Sequence, residues 1–323
     1  MKNSVSVCGI DVSKESFDVF TLESKHLVFE NKLSGFKKFK KTLNPLSLCV
    51  MEVTGIYHLQ LATFLHKNEI DVSVVNPLSI KRFAQMHLKR NKTDKADAKI
   101  IAQYGINQSP KLWKPCDKNI EEAKDTSQAL EQMLNIRASL KNKISGLKSK
   151  KASLFLIESI QNQIDSISQT VEILGKKIKD LVQEYDANLL TNIQSISGIG
   201  VRTAPLLIIA SNGFRDFESA KQLQSYFGLA PTETRSGTSI NGTRKISKMG
   251  NPLVRKKLYM CSLQASRYNK ACAELYQRLL AKGKPKKVAL IAVANKLLKI
   301  VYAIAKSGLP YDQYYVSQRR ASA

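Results

Sequence analysis

The sequence predicts a mixed α/β domain over residues 1–118, a coiled-coil arm over 119–188 and a mainly α-helical domain over 189–323. Three observations carry this division. Short apolar strand-like segments alternate with helical ones in the first part. No proline interrupts the chain between Pro115 and Pro205, and apolar residues there recur every three or four positions. Charge is partitioned as well: Lys and Arg stand against Asp and Glu at 19 to 11, 10 to 10 and 22 to 5 in the three parts.

The first part opens with a short apolar strand over residues 4–12, and two further strands, 16–22 and 26–32, follow through tight connections. Residues 35–43 fit a short basic helix. Strand, helix, strand and helix then succeed one another at 47–53, 55–67, 71–75 and 77–87, the last with Pro77 in its first turn, where a missing N–H costs nothing. Asp94 opens a further helix reaching about Tyr104. In the middle part Ile157, Ile160, Ile164, Ile167, Val171, Leu174, Ile178 and Leu181 form a coiled-coil seam. An earlier, weaker run (Leu130, Met133, Leu140, Ile144, Leu147) keeps the rhythm but puts Arg137 on a seam position, and the polar stretch 148–151 separates the two. Two long helices folded back on each other satisfy this pattern, and so does pairing with a second subunit, as a spacer or as a dimerisation arm. In the third part residues 195–200 and the apolar helix 204–210 have the form of a helix-hairpin-helix turn, in which Gly198 and Gly200 let the backbone approach a phosphate. A plain helix–helix connection fits the same residues. Asn251 and Pro252 then mark a helix start, cap and first turn, on the helix that carries Arg255, Lys256 and Lys257.

The 323 residues are 43% apolar, which excludes global disorder, while 51 Lys and Arg against 26 Asp and Glu give a net charge of +25 and a pI near 9.8. Such an excess points to a polyanion, with nucleic acid first. From Arg235 to Lys299 there are sixteen cations and one acid, Glu274, the density of a phosphate-tracking surface; Arg244, Lys245, Lys248, Arg255, Lys256 and Lys257 are its main contact candidates. The first residues carry no secretory signal. The apolar stretch 288–305 is interrupted by Asn295, Lys296 and Lys299, as suits a half-buried helix and not a membrane span. The expected location is the cytoplasm. Five widely spaced cysteines without a C-x-x-C pair predict buried reduced thiols and no structural zinc.

Within the first part the acids stand out. Asp11 ends the first strand, Glu52 ends the apolar run 48–51, and Asp94 and Asp97, three apart, share a helix face. Strand ends of such sheets collect ligand-facing side chains, so the four carboxylates can meet at one edge. Like charges in one pocket raise each other's pKa, and a hard divalent cation relieves this. With four histidines in the whole chain, oxygen ligands and Mg²⁺ are favoured; two such ions bridged by carboxylates can hold a scissile phosphate. Taken alone, Asp94 and Asp97 are also an ordinary helix start with a cap and a favourable dipole interaction, Asp11 a turn residue and Glu52 a surface charge.

Residues 9–14 (GIDVSK), 51–57 (MEVTGIY) and 92–98 (KTDKADA) resemble the three acidic motifs of the DEDD insertion-sequence transposases. Residues 196–200 (ISGIG), 227–231 (FGLAP), Ser236-Gly237 and 245–251 (KISKMGN) resemble the family's second conserved domain, in the right order over nearly the whole chain. The resemblance implies an N-terminal RNase H-like (RuvC-like) domain whose metal ligands are Asp11, Glu52, Asp94 and Asp97, a coiled-coil arm, and a C-terminal domain with a serine nucleophile at Ser236. It implies donor and target DNA as substrates, a noncoding bridge RNA that selects them, and homodimers or homotetramers with composite sites, in the cytoplasm of a bacterium or archaeon, at the nucleoid. The family often has a double serine and double glycine here, whereas Arg235 and Thr238 flank a single Ser-Gly in this chain, which leaves Ser239 as a rival.

A serine in a Ser/Gly/Thr-rich loop is ordinarily a turn residue, and residues 234–238 look like a flexible turn. Its hydroxyl is a weak nucleophile without an activating base or metal. No histidine lies in the third part, so activation must come from elsewhere. Arg235 or Arg244 can stabilise charge on the attacked phosphate. Two rivals to the serine recombinase remain: a site-specific invertase or Holliday-junction nuclease that uses the carboxylates alone, and a non-catalytic nucleic-acid-binding protein on the same scaffold.

Overall fold

The computed structural model describes residues 6–21, 25–53, 55–88, 93–232, 235–236, 240–241 and 245–315. The chain divides into two compact units, 1–115 and 116–323.

In the first unit the elements run β1 (Ser6–Val12), β2 (Ser16–Thr21), β3 (His26–Glu30), α1 (Leu33–Lys40), β4 (Ser47–Glu52), α2 (His58–Lys67), β5 (Asp71–Val75), α3 (Pro77–Met86) and α4 (Asp94–Gln108). The sheet order is β3-β2-β1-β4-β5, with β1, β2 and β3 antiparallel and β1, β4 and β5 parallel. Alternation along β1 sends Cys8, Ile10 and Val12 into a core with Phe17, Phe36, Phe39, Leu61 and Leu65, while Val7 faces the opposite layer with Val50, Val75, Ile80, Phe83 and Ile101. The sheet is therefore covered on both sides, as its parallel half requires. This is the mixed α/β architecture expected from the sequence, compatible with an RNase H-like domain.

The second unit contains α5 (Lys118–Ser149), α6 (Leu154–Gln194), α7 (Thr203–Ala210), α8 (Ala220–Tyr226), β6 (Pro231–Thr232), β7 (Arg235–Ser236), β8 (Ile240–Asn241), β9 (Lys245–Ile246), α9 (Pro252–Tyr268), α10 (Lys270–Ala281) and α11 (Lys286–Ser307). It is mostly helical. Of the two pairings that the sequence left open, α5 and α6 pack on each other within one chain and run in opposite directions. Arg137 Nη1 donates to Ser168 Oγ at 3.3 Å, and Lys177 pairs with Glu122 at 2.9 Å. The seam places Ile144, Ile164, Val171, Ile178 and Leu181 out of solvent, and Arg137 occupies its seam position by making the cross-helix hydrogen bond. Asp186 breaks α6 with an extended backbone, and its Oδ1 accepts from the Leu189 N–H at 2.8 Å, capping the final turns anew.

The base of this hairpin belongs to the C-terminal core. Ile120, Ala123, Leu181 and Val182 share one apolar cluster with Leu207, Leu258 and Leu297. Helix α11 is long and apolar enough to cross a membrane by length and composition. In this chain it is a core helix, with Leu290, Val293, Leu297, Leu298 and Val301 buried and Asn295 Nδ2 donating to the Leu229 carbonyl at 3.0 Å. All five cysteines are free thiols, four of them buried.

Candidate active site

The carboxylates are positioned by backbone register. β1 and β4 pair in parallel up to Ile10 opposite Met51, so the next residues, Asp11 and Glu52, come side by side at the strand ends. Helix α4 is laid over this point by Gly9. A Cβ at Gly9 would stand 2.2 Å from the Ala98 carbonyl oxygen and 2.2 Å from the Ala102 N, so only a residue without a side chain lets helix and strand approach this closely. Two residues further along the same face of β1, Asp11 meets the preceding turn of α4, which carries Asp94 and Asp97. That turn is capped by Thr93, whose Oγ1 accepts from the Ala96 N–H at 3.2 Å. The cap is therefore threonine, and neither aspartate is needed for it.

Electrostatics reflects the same convergence. Burial, then the charges of Asp97, Glu52, Asp94 and Asp18 in that order, raise the Asp11 pKa to about 6. Asp18 is a fifth carboxylate, which the sequence pattern did not single out. It lies directly opposite Asp11 across β1–β2, and its Oδ1 is 2.6 Å from His26 Nε2. An acid inside the otherwise apolar run 17–20 was the available signal. The donor set consists of carboxylates, the chemistry of a hard divalent cation. Among the described residues, no three His, Cys, Asp or Glu side chains are gathered closely enough to hold one metal ion as they stand.

In the second unit the motif segments interlock through backbone. β6 pairs with β9, Ser247 N–H donates to the Ala230 carbonyl at 3.0 Å, and Lys248 N–H donates to that of Gly228 at 3.2 Å. Beyond this, Arg235 pairs with Asn241 and Ser236 with Ile240. Of residues 234–238, expected as a flexible turn, Arg235 and Ser236 lie in a short strand pair; residues 234, 237 and 238 lie outside the described residues. Ser239 and Arg244 lie outside the described residues.

The predicted nucleic-acid contacts sort into two groups. Lys245, Lys248 and Lys256 are exposed. Arg255 is turned inward, donating from Nη1 to the Phe227 carbonyl at 3.0 Å, and Lys257 pairs with Glu131 of α5 at 3.3 Å. Asn251 Oδ1 accepts from the N–H groups of Leu253 and Val254, the expected cap of α9. Gly198 has a φ of 104°, and a Cβ there would lie 2.8 Å from Ala265 Cβ, so its conformation and the packing of α9 both call for glycine. Gly200 is exposed, and a Cβ added there would meet nothing within 4 Å.

Comparison with known proteins identifies the family. A family model of IS110-type DEDD transposases matches residues 8–148, and one described as the transposase IS116/IS110/IS902 family matches residues 190–277. The chain is 32% identical over 326 residues to the pilin gene-inverting protein of Moraxella bovis, covering 96% of this chain and 98% of that one. The pilin gene-inverting protein of Moraxella lacunata matches at the same 32% identity, and the transposase for insertion sequence element IS1111A of Coxiella burnetii at 22% over 93% of this chain. Matched by both models and along nearly its whole length by a gene-inverting relative, the chain belongs to the IS110-type transposase family and is a DNA-recombining enzyme.

Proposed function

We propose that the protein cuts and rejoins DNA at specific sites through two groups of residues, the carboxylates Asp11, Glu52, Asp94 and Asp97 and the nucleophile Ser236. The observation that supports this is that Asp11 and Glu52 end paired strands beside the helix packed on Gly9, where burial and the charges of Asp97, Glu52 and Asp94 raise the Asp11 pKa to about 6. Two Mg²⁺ are the fitting counter-charge: held by these four residues, they would neutralise phosphate charge and polarise the phosphorus. Ser236 Oγ attacks the phosphorus, its proton is lost to solvent or a neighbouring base, and the DNA 3′ oxygen departs as a hydroxyl. A phosphoserine link to the 5′ side results, which the 3′-hydroxyl of a second strand reverses in rejoining. Arg235 or Arg244 stabilises the charge on the attacked phosphate, and Gly198, Gly200, Lys245, Lys248, Asn251, Arg255, Lys256 and Lys257 belong with them to the surrounding nucleic-acid surface, some by contact and some by holding its shape.

Sequence choice then falls to a noncoding bridge RNA that pairs with donor and target DNA. The arm 119–188 joins copies into dimers or tetramers, so that the acids of one copy serve the serine of another. The enzyme works in the cytoplasm, on nucleoid DNA. The decisive test incubates protein, element-flanking RNA, junction DNA and Mg²⁺, and resolves products on a denaturing gel. A covalent adduct abolished by Ser236→Ala and by Asp11→Ala is expected. Cleavage without adduct, lost only with the acidic substitutions, overturns the serine assignment in favour of a metal nuclease.

A second reading rests on the relatives named as pilin gene-inverting proteins, similar over nearly the whole chain. It assigns the same chemistry to inversion of a segment between two resident sites. A plasmid with inverted and direct copies of the element ends separates inversion from excision and insertion.

A further inference from the structure

The arm is neutral as a count, yet folding it back sorts its charge along its length. From residue 137 to 157 there are six cations and no acid, whereas Glu121, Glu122, Asp125 and Glu131 lie toward the base of α5. With a rise of about 1.5 Å per residue, the lysines from 141 to 151 all fall within about 15 Å of the hairpin turn. That turn is ordered by its own backbone: the N–H of Ala152 donates to the Leu147 carbonyl at 3.1 Å, and Lys151 has a φ of 51°. Immediately beyond it, Leu154, Phe155 and Leu156 are 73%, 80% and 42% exposed. Three consecutive apolar side chains are held in water close in sequence to Lys148, Lys150 and Lys151, all three of which are exposed. Hairpin packing leaves them exposed, while Ile144 and Ile164, farther from the turn, are buried. The nearest acid along α6 is Glu158.

We infer that the hairpin tip is a nucleic-acid wedge, in which Lys148, Lys150 and Lys151 hold backbone phosphates while Phe155 stacks on an unpaired base or enters a deformed base step. Cations free of neighbouring acid complement phosphate. Apolar side chains on a projecting element lodge between unstacked bases, and an aromatic face does so whatever the base. The ligand is looped or bulged nucleic acid, DNA or RNA, in preference to a continuous duplex. This surface is separate from the carboxylates and from Ser236, and it stands or falls independently of the cleavage chemistry.

The test uses the full-length protein and labelled duplexes of about 30 nucleotides, each with and without a central unpaired loop, in DNA and RNA versions, with binding followed by fluorescence anisotropy over a salt series. Phe155→Ala is expected to weaken looped substrates about tenfold and leave continuous duplex unchanged, while Phe155→Trp retains the preference. Replacing Lys148, Lys150 and Lys151 with Gln should lower the slope of log K against log[salt] by about 2–3. Whether looped RNA or looped DNA shows the larger effect identifies the source. Unchanged looped-to-continuous ratios and salt slopes in these variants overturn the inference. A fall in sedimenting mass with unchanged binding overturns it too, and assigns the tip to a second copy of the chain.

Discussion

Asp11 gives the candidate site a measurable signature. Its pKa is raised to about 6 in the folded protein, above the ordinary aspartate value of about 4. A raised carboxyl contributes stability in full below the unfolded value and loses that contribution as pH rises through the folded one. In chelator-treated protein the melting temperature should therefore fall between about pH 4 and 6. Asp11→Asn should flatten that slope relative to wild type while abolishing strand cleavage; parallel slopes in differential scanning calorimetry would sink the assignment of this proton. Gly9 is the second residue on which the site turns. Gly9→Ala forces a methyl against the α4 backbone, and a loss of about 1–3 kcal/mol in urea unfolding is expected, together with loss of activity because the carboxylates of α4 move off Asp11. Gly9 was visible in the sequence as part of the Gly9-Ile10-Asp11 motif, but the clash that explains its glycine was not.

At the level of elements, caps and seams decide stability. Asn251 holds two N–H groups at the start of α9, so Asn251→Ala should cost about 1 kcal/mol and should weaken DNA binding through the displaced loop that bears Lys245 and Lys248. Asn251→Asp, which keeps the cap, should restore stability. Strand and helix placement in the first unit was legible from alternation and from Pro77; the cap before it, Asn76, whose Oδ1 accepts from the Leu78 N–H at 2.8 Å, emerges from the structure. The helix expected at 35–43 begins earlier, at Leu33, and α2 begins later than expected, at His58. Composition locates an element better than its first turn, because helix ends fray and the free N–H groups there can donate to many partners. The short strands around Ser236 left no mark in the sequence: two-residue strands carry no periodicity, and their pairing partners lie 4 to 15 residues away in a polar segment.

For the whole molecule, net charge and shared sites make the predictions. A charge of +25 requires DNA affinity to fall steeply with salt, and a log–log slope near zero would contradict a phosphate-tracking surface. If acids and serine act across copies, mixing inactive Asp11→Asn protein with inactive Ser236→Ala protein should restore covalent adduct in part, read on a denaturing gel. No recovery at any ratio would place both groups in one copy's working site.

The amino-acid sequence by itself determined the mixed α/β class of the first unit, the helical character of the rest and the basic charge that suits a DNA substrate, and it singled out four acids as candidates. Each of these is written in local quantities, namely periodicity, turn residues and charge count. Tertiary structure decided what depends on distance between remote residues. It chose intrachain pairing for α5 and α6, brought Asp18 opposite Asp11, turned Arg255 and Lys257 into packing groups and left Lys245, Lys248 and Lys256 outward. It also converted a neutral arm into one with a basic, apolar tip. The cations of 137–157 and the apolar residues 154–156 are contiguous in the sequence; what the folding of 118–149 against 154–194 adds is that they stand at the turn of a hairpin with Leu154, Phe155 and Leu156 exposed, because exposure depends on packing between remote residues.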